Sequence, residues 1–296
     1  MNSDKPPVID YEGSDYQTSF WDQGGREYED RAEQIALGRL LPDRGELLLE
    51  VGAGAGRNTP RYAGFQRVVL LDYSLTQLQQ ARQSLGQGEE YLYVAGDVYR
   101  LPFVDQLFDG ATMIRTLHHM QEPLTALGQI HRVLQSGSPF ILEFANKQNL
   151  KAILRYLLGR QDWNPFNQDP VEFVELNFDF HPRAIRRWLE QVHFQVERQL
   201  TVSHFRIDLL KKTIPTDLLV WLDSVVQLTG NWWQLSPSVF LRATALEDQR
   251  ETGVDGFFQC PQCGDPLPEA RNQHIRCRSC QASYPLTDGI YDFREI

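Results

Sequence analysis

The sequence predicts a doubly wound α/β domain with helical insertions, followed by a small C-terminal zinc ribbon. Three observations carry that prediction. Five short apolar runs in the first half of the chain alternate with amphipathic stretches. A glycine-rich turn, Glu50-Val51-Gly52-Ala53-Gly54-Ala55-Gly56-Arg57, follows the first of those runs. All four cysteines fall into one C-x2-C-x13-C-x2-C spacing near the end.

The elements follow in order. Gly45–Val51, Arg67–Asp72, Tyr91–Asp97, Phe108–Ile114 and Pro139–Phe144 are unbroken apolar runs, the pattern of strands buried on both faces of a parallel sheet. Leu75–Leu85 is polar with a thin apolar stripe. Pro123–Leu134 places Leu124, Leu127, Ile130, Val133 and Leu134 on one helical face, with Pro123 suited to the first turn. Such alternation argues for a doubly wound sheet. Beyond Asn146 the regularity breaks. A helix is expected over Leu150–Leu158, a strand over Phe194–Val202, a helix from about Pro215 to Thr229 and a last strand over Ser238–Ala245. The late helix carries Leu218, Leu219, Leu222, Val225 and Val226 on one stripe, within a helical insertion spanning about residues 204–235. A polar linker then separates a main domain, 1–246, from the ribbon, 256–296.

Of the 296 residues 42% are hydrophobic and 23% charged, which fits a folded globular chain and excludes a mainly disordered one. With 29 Lys+Arg against 39 Asp+Glu the formal net charge is −10, which disfavours a phosphate-backbone partner. No apolar run approaches the ~18 residues of a transmembrane helix. The start, Met1-Asn2-Ser3-Asp4-Lys5-Pro6-Pro7, lacks the layout of a signal peptide. A soluble, cytoplasmic protein is the expectation.

Cys260, Cys263, Cys277 and Cys280 have the spacing of two knuckle turns closing on tetrahedral zinc, with Pro261 and Gly264 supplying turn chemistry. Two disulfides are disfavoured in a cytoplasmic chain. Four thiolates leave no open coordination position, so the metal is expected to be structural. So short a segment holds little apolar core, and its folding is expected to depend on the metal. Arg271, Arg276, Arg278 and Arg294 are matched by Asp265, Glu269, Asp288, Asp292 and Glu295, so the ribbon has no basic patch.

The glycine turn lets backbone approach a ligand without Cβ clashes. Asp72, 22 positions beyond Glu50, ends the second run, and Asp97 ends the third. In a doubly wound sheet, ligands sit outside the carboxyl ends of the strands, where these residues converge. A carboxylate at Asp72 can accept both ribose hydroxyls, and one at Asp97 an adenine amine. Two acids without a phosphate-pairing Lys suit a nucleoside that has no phosphates, such as S-adenosylmethionine. A nicotinamide or flavin dinucleotide is the competing reading; its G-x-G-x-x-G fingerprint breaks at Arg57.

Over roughly residues 20–145 the sequence resembles class I S-adenosylmethionine-dependent methyltransferases of the small-molecule type. The motifs are Glu50–Gly56, Leu71-Asp72-Tyr73-Ser74, Gly96-Asp97-Val98-Tyr99-Arg100-Leu101-Pro102-Phe103, Phe108-Asp109, Leu117-His118-His119-Met120 and Arg132-Val133-Leu134. The resemblance implies a Rossmann-like, seven-stranded methyltransferase sheet and S-adenosylmethionine as cofactor. It sets the turn of Gly52, Ala53, Gly54 and Gly56 toward the methionine part, Asp72 toward the ribose, and Asp97 with Val98 toward the adenine, and counts Glu50, Tyr73 and Gly96 among the cofactor-binding residues. Arg115 falls at the methionine end. Two departures stand out. Ser136-Gly137-Ser138-Pro139 replaces the family's Pro-Gly-Gly, and strand four lacks the Asn/Asp-Pro-Pro-aromatic signature of base-amino methyltransferases.

Methyl transfer is an in-line displacement in which positioning supplies much of the rate. His118 and His119 are candidate general bases, and each also suits a packing role. Trp221, Trp232, Trp233 and the late helix are expected to cover the acceptor pocket, and Tyr16, Phe20, Trp21 and Tyr28 to form an N-terminal flap. The acceptor is read as a small or lipid-like molecule. The alternatives are RNA or a translation protein with the ribbon as recognition module, or a non-catalytic cofactor-binding and assembly role. The tail Tyr284-Pro285-Leu286-Thr287-Asp288-Gly289-Ile290 resembles small zinc-ribbon proteins that activate methyltransferases as separate subunits. That resemblance implies docking on the catalytic domain or on a protein partner.

Overall fold

A computed structural model describes residues 25–247, 256–268 and 273–294. Tyr16, Phe20 and Trp21 of the expected flap, and most of the expected linker, lie outside the described residues. Helix α1 (Glu27–Leu40) leads into β1 (Gly45–Val51), β2 (Phe65–Asp72), α2 (Leu75–Leu85) and β3 (Tyr91–Ala95). Then come β4 (Gly110–Met113), α3 (Pro123–Val133), β5 (Pro139–Ala145) and α4 (Leu150–Leu157). A hairpin of β6 (Val171–Val174) and β7 (Asn177–Asp179) precedes α5 (Pro182–Gln191), β8 (Phe194–Val202), α6 (Asp208–Thr213), α7 (Thr216–Val226) and β9 (Ser238–Ala245). The cysteine segment adds β10 (His274–Arg276), β11 (Ser283–Thr287) and β12 (Ile290–Asp292).

The strands β3-β2-β1-β4-β5-β9-β8 form the expected seven-stranded sheet. Its first five members run parallel, and β9 and β8 join antiparallel. Register brings the tips level: Val51 pairs with Leu71 and Met113, and Asp72 with Ala95. The helices start where local chemistry allows. The Ser74 hydroxyl accepts from the Gln77 N–H at the head of α2, and the Asn149 side chain from the Ala152 N–H at the head of α4. Among the described residues no helix is long and apolar enough to cross a membrane.

The cysteine segment meets this sheet directly. β12 pairs in parallel with β3, Ile290 against Tyr93 and Asp292 against Ala95, so the sheet continues to ten strands. A second seam joins Phe257–Gln259 to Pro102–Val104: Gln259 N–H donates to Pro102 O at 3.0 Å, and Val104 N–H to Phe257 O at 3.3 Å. The Phe258 ring lies 4.8–5.8 Å from those of Phe293, Phe257, Tyr291 and Phe103. The segment that looked too small for a core therefore shares the one under β1, β4 and α3. Its aromatics supply what its length cannot.

The stripe read for α7 is also displaced. Leu219, Val220 and Asp223 face inward, while Leu218, Val225 and Trp221 are exposed. Asp223 turns the helix. Its carboxylate accepts from Tyr28 Oη at 2.9 Å and from the His204 N–H at 2.9 Å, and sits 2.8 Å from His204 Nδ1. Burying that partnered carboxylate rotates the helix away from its most apolar face. Tyr28 is accordingly a buried residue of α1 and no part of a flap, and Trp232 and Trp233 face solvent.

Candidate functional site

Backbone strain and hydrogen bonds gather at the tips of β1, β2 and β4. The turn after β1 runs through Gly52 (φ +71°) and Gly54 (φ +54°), left-handed values that favour glycine. A Cβ on Gly52 would lie 2.1 Å from Thr116 Oγ1, so the close packing of this turn on the β4 tip requires glycine. A Cβ on Gly54 would meet no described atom nearer than Gln77 Oε1, at 3.8 Å, beyond its chain neighbours, which leaves that side of the turn open. Asp72 locks the turn to its own strand: one carboxylate oxygen accepts from the Gly54 N–H at 2.7 Å, the other from the Ser74 N–H at 2.9 Å. Asp97 caps the short turn after β3 by accepting from the Tyr99 N–H at 2.9 Å, and Val98 beside it is buried. Gly96 N–H donates to Asp72 O at 3.0 Å, tying the two acidic tips together. Asp72, Tyr73, Gly96, Asp97 and Val98 thus share one wall with the glycine turn.

The end of the chain buttresses that wall. Phe293 N–H donates to Ala95 O at 2.7 Å, Arg294 Nη1 to Tyr73 O at 3.1 Å, and the Arg294 guanidinium lies 5.7 Å from the Tyr73 ring centre. Asp292 holds that guanidinium at 2.9 Å.

Glu50 is buried, accepting from Thr59 Oγ1 at 2.6 Å. Burial pushes its carboxyl up to about 7, against the pull of Thr59 and Arg57. Through Thr59 it ties the end of β1 to the short helical turn Thr59–Tyr62 that follows the glycines.

Arg115, expected near the methionine end, has φ +56°. A non-glycine residue there costs on the order of 1–2 kcal/mol, and such strain collects at functional sites. Its N–H donates to buried Glu143 at 2.9 Å, which helps hold the strained backbone. Its guanidinium grips Glu33 of α1 through Nε at 2.7 Å and through Nη2. Glu33 also accepts from Arg57 Nη2 at 2.9 Å, and Asp30 takes Arg57 Nη1 and, at 2.6 Å, Arg61. Burial alone would raise the Glu33 carboxyl, but Arg115 and Arg57 outweigh it and hold it below the usual range. Sequence reasoning missed Asp30 and Glu33. The inward run Tyr28, Ala32, Ala36, Leu37, Leu40 of α1 was the signal that could have exposed them.

His118 and His119 stand on the turn after β4 with ring centres 3.9 Å apart. Burial, aided by His119, Arg115 and Arg206, pushes His118 well below the ordinary histidine value, and its buried Nδ1 has no hydrogen-bond partner among the described residues. Burial likewise lowers His119, whose Nδ1 lies 3.1 Å from Leu176 O in the β6–β7 hairpin. A carbonyl only accepts, so Nδ1 carries the proton and Nε2 the lone pair. The same hairpin brings in Asp179, raised to about 6 by burial and by the charge of Glu143, with Arg206 and Lys147 opposing. Glu143, Asp179 and Arg206 come from segments whose sequence carries no motif, which is why no reading of spacing reached them.

The four cysteines converge, their sulfurs all within 4.8 Å of one another, with Cys260–Cys280 and Cys263–Cys277 at 3.5 Å. Four thiolates about 2.3 Å from one zinc stand about 3.8 Å apart, so the set fits that ion. All four are free thiols.

Residues 49–142 match the family of methyltransferase domains. An O-methyltransferase of Penicillium expansum is 39% identical over 110 residues, covering 35% of this chain and 40% of that protein. A ubiquinone/menaquinone biosynthesis C-methyltransferase of Roseobacter denitrificans is 31% identical over 117 residues, covering 37% and 47%. The chain thus spans less than half the length of these curated relatives. Among solved structures, one from the complex of the Haloferax volcanii Trm112 methyltransferase activator with a methyltransferase superposes with a TM-score of 0.56. It shares 16% identity and covers 78% of this chain and 96% of that one. The architecture is therefore the Rossmann-like fold seen in class I methyltransferases, and residues 49–142 are the part that matches the methyltransferase-domain family.

Proposed function

We propose that the protein is an S-adenosylmethionine-dependent methyltransferase acting on a small or lipid-like acceptor. The observation that carries this reading is Asp72, pinned by the Gly54 and Ser74 amides at the mouth of an open glycine turn. In that role the Gly52–Gly56 backbone approaches the cofactor, Asp72 accepts the ribose hydroxyls, and Asp97 accepts the adenine amine. When bound, S-adenosylmethionine supplies an electrophilic methyl group on sulfur. In this reading the neutral Nε2 of His119 takes the proton of a hydroxyl or acidic carbon on the acceptor. The matched O- and quinone C-methyltransferases support an acceptor of that size and chemistry.

The cysteine cluster is proposed to hold a structural zinc ion, and residues 256–296 to act as a built-in buttress. Support comes from the strand pairing at β3 and from the contacts of Phe293 and Arg294 with the nucleoside wall. The structural match drawn from an activator–methyltransferase complex points the same way.

Calorimetry tests the cofactor. S-adenosylmethionine and S-adenosylhomocysteine should both bind, and Asp72→Ala should weaken them by about 1–3 kcal/mol. Binding of NAD with no binding of either sulfur nucleoside would reverse the assignment.

A further inference from the structure

Although the chain carries 39 acidic residues, two neighbouring segments present none to solvent. Residues 146–161 contain Lys147, Lys151, Arg155 and Arg160 and no acid, and residues 224–241 contain no charge of either sign. Both expose large apolar side chains. On and just after α4, Leu150, Leu154, Leu157 and Leu158 are 50–69% exposed; in the second segment Leu228, Trp232, Trp233 and Leu235 are 39–79% exposed. The two segments abut: Leu150 N–H donates to Leu235 O at 2.8 Å, and Asn146 Nδ2 to Gln234 O at 2.9 Å and Ser236 O at 2.8 Å. Lys151, Arg155 and Arg160 are exposed among the leucines, while Lys147 is buried, bonding Asn167 at 2.9 Å. The next acids along the chain after α4, Asp162, Asp169, Glu172 and Glu175, lie beyond Arg160 on the approach to the hairpin and within it.

We propose that α4 and the Trp232–Leu235 segment form an interface that settles on an anionic lipid bilayer. Leucines flanked by exposed cations, with tryptophans alongside, are the composition that lies in the headgroup region, whereas a protein partner would leave the local positive charge on an acidic molecule unexplained. Charge complementarity selects the anionic surface. The position suits the site as well: α4 follows β5 directly, and the hairpin beyond it supplies the carbonyl that orients His119. In purpose the interface rests on the lipid-like acceptor reading above, since it would set the acceptor side of the sheet against the phase in which such a molecule dissolves.

The test is flotation of the full chain with vesicles of phosphatidylcholine alone and of phosphatidylcholine with phosphatidylglycerol, without methyl donor or acceptor. Failure here and failure of the methyl-transfer reading therefore register separately. The chain should float with the phosphatidylglycerol vesicles, release as salt rises, and shift its tryptophan emission to the blue. Lys151→Gln/Arg155→Gln/Arg160→Gln should lower the partition coefficient about a hundredfold, and Trp232→Ala/Trp233→Ala should reduce the blue shift. These side chains are exposed, and an unchanged circular dichroism spectrum and Tm will verify that each variant is folded. No flotation, equal flotation of the charge variant, or a chain that dimerises and ignores vesicles would overturn the proposal.

Discussion

Replacing Phe258 by alanine removes the ring on which the ribbon and the methyltransferase sheet meet. It is 8% exposed and packs on Phe103 from one side and on Phe257, Tyr291 and Phe293 from the other. Truncating a buried Phe costs about 3–5 kcal/mol, and at this chain length each kcal/mol lowers Tm by about 2–4 °C. The expected loss is therefore on the order of 10 °C. The choice of probe makes the test sharp. All six tryptophans, at 21, 163, 188, 221, 232 and 233, precede the ribbon, so tryptophan emission follows the main body alone. If residues 256–294 share that core, the tryptophan-monitored midpoint must fall with Phe258→Ala. An unmoved midpoint, with only a separate early transition in calorimetry, would show an independent module and refute the reasoning.

Three further outcomes follow from charge placement. Glu50 is raised from 4.5 to about 7, so folding takes up a proton and stability declines as pH rises between those values; Glu50→Gln should gain up to about 3 kcal/mol at pH 8 and almost nothing near pH 4.5, read from urea midpoints. Glu33 is depressed, so its contribution is complete above its unfolded pKa and vanishes as acid carries the pH below its folded value. Glu33→Gln should cost about 3–5 kcal/mol at pH 7 by stranding Arg57 and Arg115, and should flatten the acid limb of the stability curve; an unchanged limb would deny the pairing. His119→Gln keeps a donor for Leu176 O but loses the base, so kcat should fall about 10²–10⁴-fold while S-adenosylmethionine affinity holds. Equal loss of both would make His119 a structural residue.

The parallel strands were legible because each is a dense apolar run, and β1, α2, β8 and β9 fall on their expected residues. The wall of the site was legible for the same reason, since its residues sit at strand ends marked by glycine or acid. What escaped depends on pairings distant in sequence. The place of Glu33 is set by Arg57 and Arg115, 24 and 82 residues away. Asp179 counts through a short hairpin that has no periodicity to read. The face of α7 was misread because one buried carboxylate, partnered by Tyr28 and His204, outweighed the apolar stripe. The ribbon's cysteines announced themselves by spacing, whereas its union with β3 rests on backbone amides, which every sequence possesses.

That union decides which side of the protein is sticky. With β12 in place, the Tyr91–Ala95 backbone hides its outer amides and carbonyls, and the sheet at this end runs out to the three-residue strand β10. Any treatment that detaches β12 from β3 would bare a border carrying Tyr91 and Tyr93, ready to stitch one copy to the next. Turbidity on storage should then precede any loss of helical signal.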